Sequence, residues 1–96
     1  MRAGALTKLL QENDKDVRWV AAEAMAELGP AAKEAVPALT RLLQDEDWQV
    51  QQAAAKALGE MGPAAKEAVP ELTRLLHDNN EDVREAAAKA LEQIEK

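Results

Sequence analysis

From Gly29 onward the chain repeats itself with a period of 33 residues, and this self-similarity constrains the fold more than any other feature. "GPAAKEAVPALTRLLQDEDWQVQQAAAKALGEM" at 29–61 and "GPAAKEAVPELTRLLHDNNEDVREAAAKALEQI" at 62–94 align without a gap and agree at 22 positions. The segment from Ala5, "ALTKLLQENDKDVRWVAAEAMAEL", aligns with 38–61 and agrees at 12 of 24. The chain therefore reads as one domain over 1–96, built of repeats 1–28, 29–61 and 62–96, the first without the leading "GPAAKEAVP". A unit this short cannot bury its own apolar face, so the copies must stack.

Each unit predicts two helices. In repeat 2, Val36, Leu39, Leu42 and Leu43 form one helical stripe, matched by Val69, Leu72, Leu75 and Leu76 and by Leu6, Leu9 and Leu10. Pro37 and Pro70 fall inside this stripe, which predicts either a kink or a helix whose regular part starts near the proline. The second helix follows an N-cap candidate, Asp14, Asp47 or Asn80, whose side chain can accept from a first-turn amide. Its predicted buried face in repeat 1 is Val17, Val20, Ala21, Ala24, Met25 and Leu28, with the same pattern 33 and 66 residues on. Gly29-Pro30 and Gly62-Pro63 end it, the glycine as a left-handed cap and the proline as a stop. The last repeat ends at Lys96, where the next "GP" would fall, so both outer faces of the stack are expected to be open to self-association.

Composition agrees with a helical stack. The chain has no Phe or Tyr and only two Trp, so its core must be aliphatic and alanine-rich, which lets helices approach closely. A net charge of -6 with both signs interspersed argues against nucleic acid or anionic membrane as a partner. No apolar run approaches the ~18 residues of a membrane helix, and no targeting segment is visible. A natural chain of this kind is expected in the cytoplasm, and an engineered one as a recombinant soluble protein.

The segment "AVPALTRLLQD-D--V---AAAKALGEMG" and its sister copies resemble HEAT repeats, of the short bacterial kind related to phycobilisome-lyase repeats. The resemblance covers essentially the whole chain. It implies an all-α fold, a short right-handed α-solenoid of three HEAT-type helical hairpins. It also implies that the second helices line the concave, ligand-facing side. The "D-x-D/E-V-R" opening of the second helix is present as Asp14-Lys15-Asp16-Val17-Arg18 and, with Asn first, as Asn80-Glu81-Asp82-Val83-Arg84. The resemblance makes the arginine one member of a polar ladder between repeats. Repeat 2 departs, with Gln49 for the acid and Gln51 for the arginine. The near-identical "GPAAKEAVP" blocks also resemble artificial HEAT-like proteins whose consensus repeats carry substitutions on the second helix, although recent duplication gives the same identity.

These substitutions mark the candidate functional surface. Trp48 occupies the slot of Lys15 and Glu81, and Trp19 the slot of Gln52 and Glu85, four residues apart on one exposed helical row. Fully covered by a partner, two Trp offer roughly 8–12 kcal/mol of gross contact energy. Trp and uncharged Gln in place of charges is the composition of an interface core. The predicted protein interface is Lys15, Trp19, Glu23, Trp48, Gln49, Gln52 and Lys56, extended by Glu81, Glu85 and Lys89, with Gln51 assigned to the ladder. The alternative is that a Trp folds back over a neighbouring repeat.

Catalysis finds no support in the residues. Ser and Cys are absent, and Thr7, Thr40 and Thr73 recur at one repeat position as structural groups. His77 stands alone at a helix end, with no metal-ligand spacing around it, and the four glycines form no phosphate loop. No enzyme activity, cofactor, metal or small-molecule substrate is expected. The expected partner is protein, foremost a second copy of the chain in a C2 dimer, otherwise a different protein bound by a monomer or by a fragment of a larger HEAT protein.

Overall fold

The computed structural model describes the backbone of residues 2–96 and the side chains of residues 4–96; Met1 lies outside the described residues. Among the described residues six α-helices follow in order: α1 (Arg2–Leu9), α2 (Lys15–Leu28), α3 (Val36–Leu42), α4 (Trp48–Glu60), α5 (Val69–Leu75) and α6 (Glu81–Ile94). Among the described residues there is no strand. The longer helices α2, α4 and α6 stack side by side through the two most extensive contacts of the molecule. The shorter helices pack against them, α1 on α2, α3 on α4 and α5 on α6, each pair forming a hairpin. The result is a short α-solenoid of 33 × 28 × 17 Å.

The local structure follows from the caps. Asp14 Oδ1 accepts from the Asp16 amide at 2.8 Å, Asp47 Oδ2 from Val50 at 3.1 Å, and Asn80 Oδ1 from Asp82 and Val83 at 2.8 and 3.1 Å. Each thereby satisfies a first-turn donor that has no partner within the helix. Pro37 and Pro70 produce no kink inside a long helix. Each lies in the first turn of α3 or α5, where a missing amide hydrogen costs no intrahelical bond. The preceding "GPAAKEA" blocks, Gly29–Ala35 and Gly62–Ala68, form 3₁₀ turns broken at Ala32 and Ala65. Thr40 and Thr73 donate back to the carbonyls of Val36 and Val69 at 2.7 and 2.8 Å, a structural role as expected.

Two expectations are corrected. Gly29 has φ 55° but ψ -139°, the mirror image of extended backbone rather than the left-handed helical cap. Glycine alone enters this region freely, and its amide still closes on the Met25 carbonyl. The second correction concerns burial in repeat 1. Val20 and Leu28, assigned to the buried face, are 57% and 37% exposed, and Leu9 is 39% exposed. The equivalents in repeat 2, Ala53, Met61 and Leu42, are buried, in a repeat that the first one packs against mainly through α2 on α4. No described residue packs outside α1 and α2 in the same way.

Candidate functional site

The second helices present one continuous face, and the predicted residues divide on it into three groups. The first is a set of links between repeats. Lys15 Nζ lies 3.5 Å from Asp47 Oδ1, and Lys56 Nζ lies 3.8 Å from Glu23 Oε1, so three predicted interface residues join α2 to repeat 2. Both pairs are solvated at the lysine end and contribute at most about 1 kcal/mol each. The more buried link is Arg18, whose Nε lies 2.9 Å from Asp45 Oδ1 and whose Nη2 donates to Oδ2 at 3.3 Å. The Nε contact is an ion pair without the alignment of a hydrogen bond. Nη1 donates to the carbonyls of Glu12 and Asn13.

Sequence reasoning named Arg18 as a ladder residue but did not identify Asp45 as its partner. The acid lies 27 residues away, and only the stacking geometry joins the two. Asp45 also accepts from the Asp47 amide at 2.9 Å, bracing the turn into α4. The ladder does not continue into repeat 3. Gln51 turns inward and donates to the Leu43 carbonyl at 3.0 Å, within its own repeat. Asp78, the counterpart of Asp45, accepts from the Asn80 amide.

The second group lines a groove of about 390 Å³ between α4 and α6, with Glu23 of α2 at its edge. Gln52, Lys56, Asp82, Glu85 and Lys89 are among its walls. Thus Glu23, Gln52 and Lys56 of the predicted surface, with Glu85 and Lys89 of its extension, share one depression. The charges are of both signs. Such a lining suits polar and charged side chains of a protein partner better than an apolar ligand.

The third group is the tryptophans. Trp19 and Trp48 are 40% and 39% exposed, so each is covered for about three-fifths of its surface within the chain. Both are exposed aromatics, and each also lies partly against its own solenoid. The uncovered portions offer roughly 3–5 kcal/mol in all, less than half the gross figure for full exposure. Trp48, Gln49 and Lys15 are exposed but do not line the groove, and neither does Trp19.

Among the described residues no group of His, Cys, Asp and Glu is placed to hold a metal ion, and His77 is exposed. No helix among them is long and apolar enough to cross a membrane.

A family model for HEAT repeats matches residues 3–92. Similar solved structures include three crystal structures of engineered proteins from the Northeast Structural Genomics Consortium. One is 32% identical over 96% of this chain and 44% of its own length, with a TM-score of 0.84. A second is 28% identical over 96% of this chain and 46% of its own, with a TM-score of 0.85. A third is 32% identical over 98% of this chain and 27% of its own, with a TM-score of 0.80. The chain thus spans less than half the length of each. No curated protein matches it significantly.

Proposed function

The chain belongs to the HEAT-repeat family, and on that premise we propose that it is a non-catalytic scaffold for protein–protein contact. On this reading residues 1–96 act as one domain, and its binding surface is the face of the second helices bearing Lys15, Trp19, Glu23, Trp48, Gln49, Gln52 and Lys56. The observation that carries it is the placement of the aromatics. Both Trp residues stand two-fifths exposed on this face, while the core is entirely aliphatic. Folds usually place their large aromatics in the core, and Trp left on a surface is enriched where a partner binds. Similarity to engineered proteins supports reading the chain as an idealised repeat whose variation is concentrated on a working face.

The partner proposed for this face is a second copy in a C2 dimer. The face has exposed rings, uncharged amides and charges of both signs, so it is self-complementary in kind. About 3–5 kcal/mol from the rings alone does not cover the cost of association, so Gln52, Gln49 and the groove must take part.

Light scattering behind size exclusion, read with Trp emission, tests this reading. A plateau at twice 10.4 kDa, with emission that reddens on dilution and a plateau that vanishes in Trp19→Ala/Trp48→Ala, supports it. A chain that stays monomeric with unchanging emission overturns self-association through this face and leaves a foreign protein as its partner.

A further inference from the structure

The two outer faces of the solenoid are the two halves of its own internal joint. On the first repeat, Leu9, Val20 and Leu28 are exposed, whereas Leu42, Ala53 and Met61, one period on, are at most 8% exposed. Leu6, Val17, Ala21 and Ala24 join Leu9 and Val20 in an apolar groove of about 320 Å³ there. On the third repeat, Val69, Leu76, Ala88 and Leu91 retain solvent contact, whereas Val36, Leu43, Ala55 and Leu58 are at most 2% exposed. Each of these apolar positions, open at one end, is closed where one repeat meets the next.

The charges follow the same register. Within the chain Arg18 reaches Asp45 in the next repeat, and Glu23 faces Lys56. Arg84 is the counterpart of Arg18 two periods on, and Glu12 is the counterpart of Asp45 one period back. Arg84 donates to the carbonyls of Asp78 and Asn79, as Arg18 does to Glu12 and Asn13. Its guanidinium therefore already holds the pose from which Arg18 meets its acid. Likewise Lys89 on the third repeat is the counterpart that would face Glu23 on a following first repeat. One pair opposes the register, since Glu81 would face Asp14, but this slot lies at the solvated rim, where Lys15 is mostly exposed.

We propose that the apolar groove of the first repeat is a docking site for the third repeat of a second copy, so that chains join head to tail in the register of the internal repeat. The contact is heterologous: it uses different surfaces on the two copies and leaves one of each free after every addition. It is distinct from the tryptophan face and stands or falls separately.

The test uses two exposed positions, so that folding is retained and is checked by circular dichroism. Val20→Glu blocks the first-repeat face and Ala88→Glu the third-repeat face. With Trp19→Leu/Trp48→Leu removing the tryptophan-face dimer from every chain compared, sedimentation velocity of the chain intact at both ends should show mean mass rising with concentration in steps of 10.4 kDa, with no plateau at two. In that background each end-face variant alone should be monomeric. An equimolar mixture should form a 1:1 dimer and stop there, because one intact face of each kind remains. A dimer that persists in both variants overturns head-to-tail docking. A monomer at every concentration with both ends intact overturns it as well. Folded variants that do not complement each other in the mixture overturn the docking register.

Discussion

Arg18 and Asp45 are joined across 27 residues by a near-bidentate contact, with Nε 2.9 Å from Oδ1 and Nη2 3.3 Å from Oδ2. The side chains are only 17% and 9% exposed, so this pair differs from the solvated lysine pairs on either side. It couples the first repeat to the second, and Asp45 simultaneously holds the turn that opens α4. Asp45→Ala should therefore cost about 2–3 kcal/mol, by losing the turn bond and leaving a mostly buried guanidinium without its counter-charge. Arg18→Gln should cost less, about 1–2 kcal/mol, because the turn bond survives. Urea unfolding of both single variants and the double variant gives the coupling energy, which should exceed ~0.5 kcal/mol for residues in contact.

Gln51 marks where the same link is missing. Gln51→Arg should let the new side chain reach Asp78 as Arg18 reaches Asp45, at the expense of the Gln51–Leu43 bond. A gain of about 0.5–1 kcal/mol is expected in thermal melts at low salt, reduced in high salt. Adding Asp78→Asn should abolish the gain. A gain that survives that second change would mean the arginine acts through packing of its stem instead.

Comparison of individual residues shows what the sequence could carry. Caps Asp14, Asp47 and Asn80 were legible because a cap is local: its donor lies two or three residues away. The stripe Val36, Leu39, Leu42 and Leu43 was legible because helical period alone decides which face is inward. Val20 and Leu28 were misplaced because period identifies the inward face and not whether a neighbour covers it. The Arg18–Asp45 pair was half legible, since repeat position singled out the arginine while the acid's distance depends on how closely α2 and α4 stack. The partial cover of Trp19 and Trp48 was open for the same reason.

Gly59 shows how close that stacking is. It lies in α4 at the crossing with α6, and a Cβ there would sit 3.0 Å from Ala90 Cα and collide with the Gln93 side-chain oxygen. In an isolated helix Gly→Ala stabilises by ~1 kcal/mol. Here the Gln93 side chain can swing aside, but the α6 backbone must yield, which costs about 1–3 kcal/mol. Gly59→Ala is therefore expected to be neutral to destabilising by up to about 2 kcal/mol in chemical denaturation. Clear stabilisation would mean that α6 shifts freely on α4.

Acid should weaken the Glu71–Arg74 pair of α5 only late in the titration, because its carboxyl resists protonation. The Arg74 side chain donates to Glu71 Oε1 at 2.7 and 3.2 Å, holding this carboxyl below its ordinary pKa against the opposing effect of burial, with help from Gln44 of the preceding repeat. Because the folded value is depressed, the stabilisation is present above the unfolded carboxylate pKa and is lost as pH falls through the folded one. Glu71→Gln should thus lower stability slightly at neutral pH and flatten the stability curve on its acid side. Urea midpoints across the acid range, variant against parent, read this directly.

The tryptophans separate the roles of cover and contact most cleanly. With about three-fifths of each residue's surface already buried in the chain, Trp19→Ala and Trp48→Ala should each destabilise the monomer by roughly 2–4 kcal/mol. That loss should appear at a concentration where no association is detectable. Substitution by Leu restores much of the apolar cover without the ring's reach, so it should recover part of this stability. The remaining two-fifths of each residue's surface bears on binding instead. If that portion anchors a partner, Leu variants should keep near-parental melting while losing association, and iodide should quench the parent less as concentration rises. If the rings serve as cover only, the Leu variants should associate as the parent does, and quenching should not change with concentration.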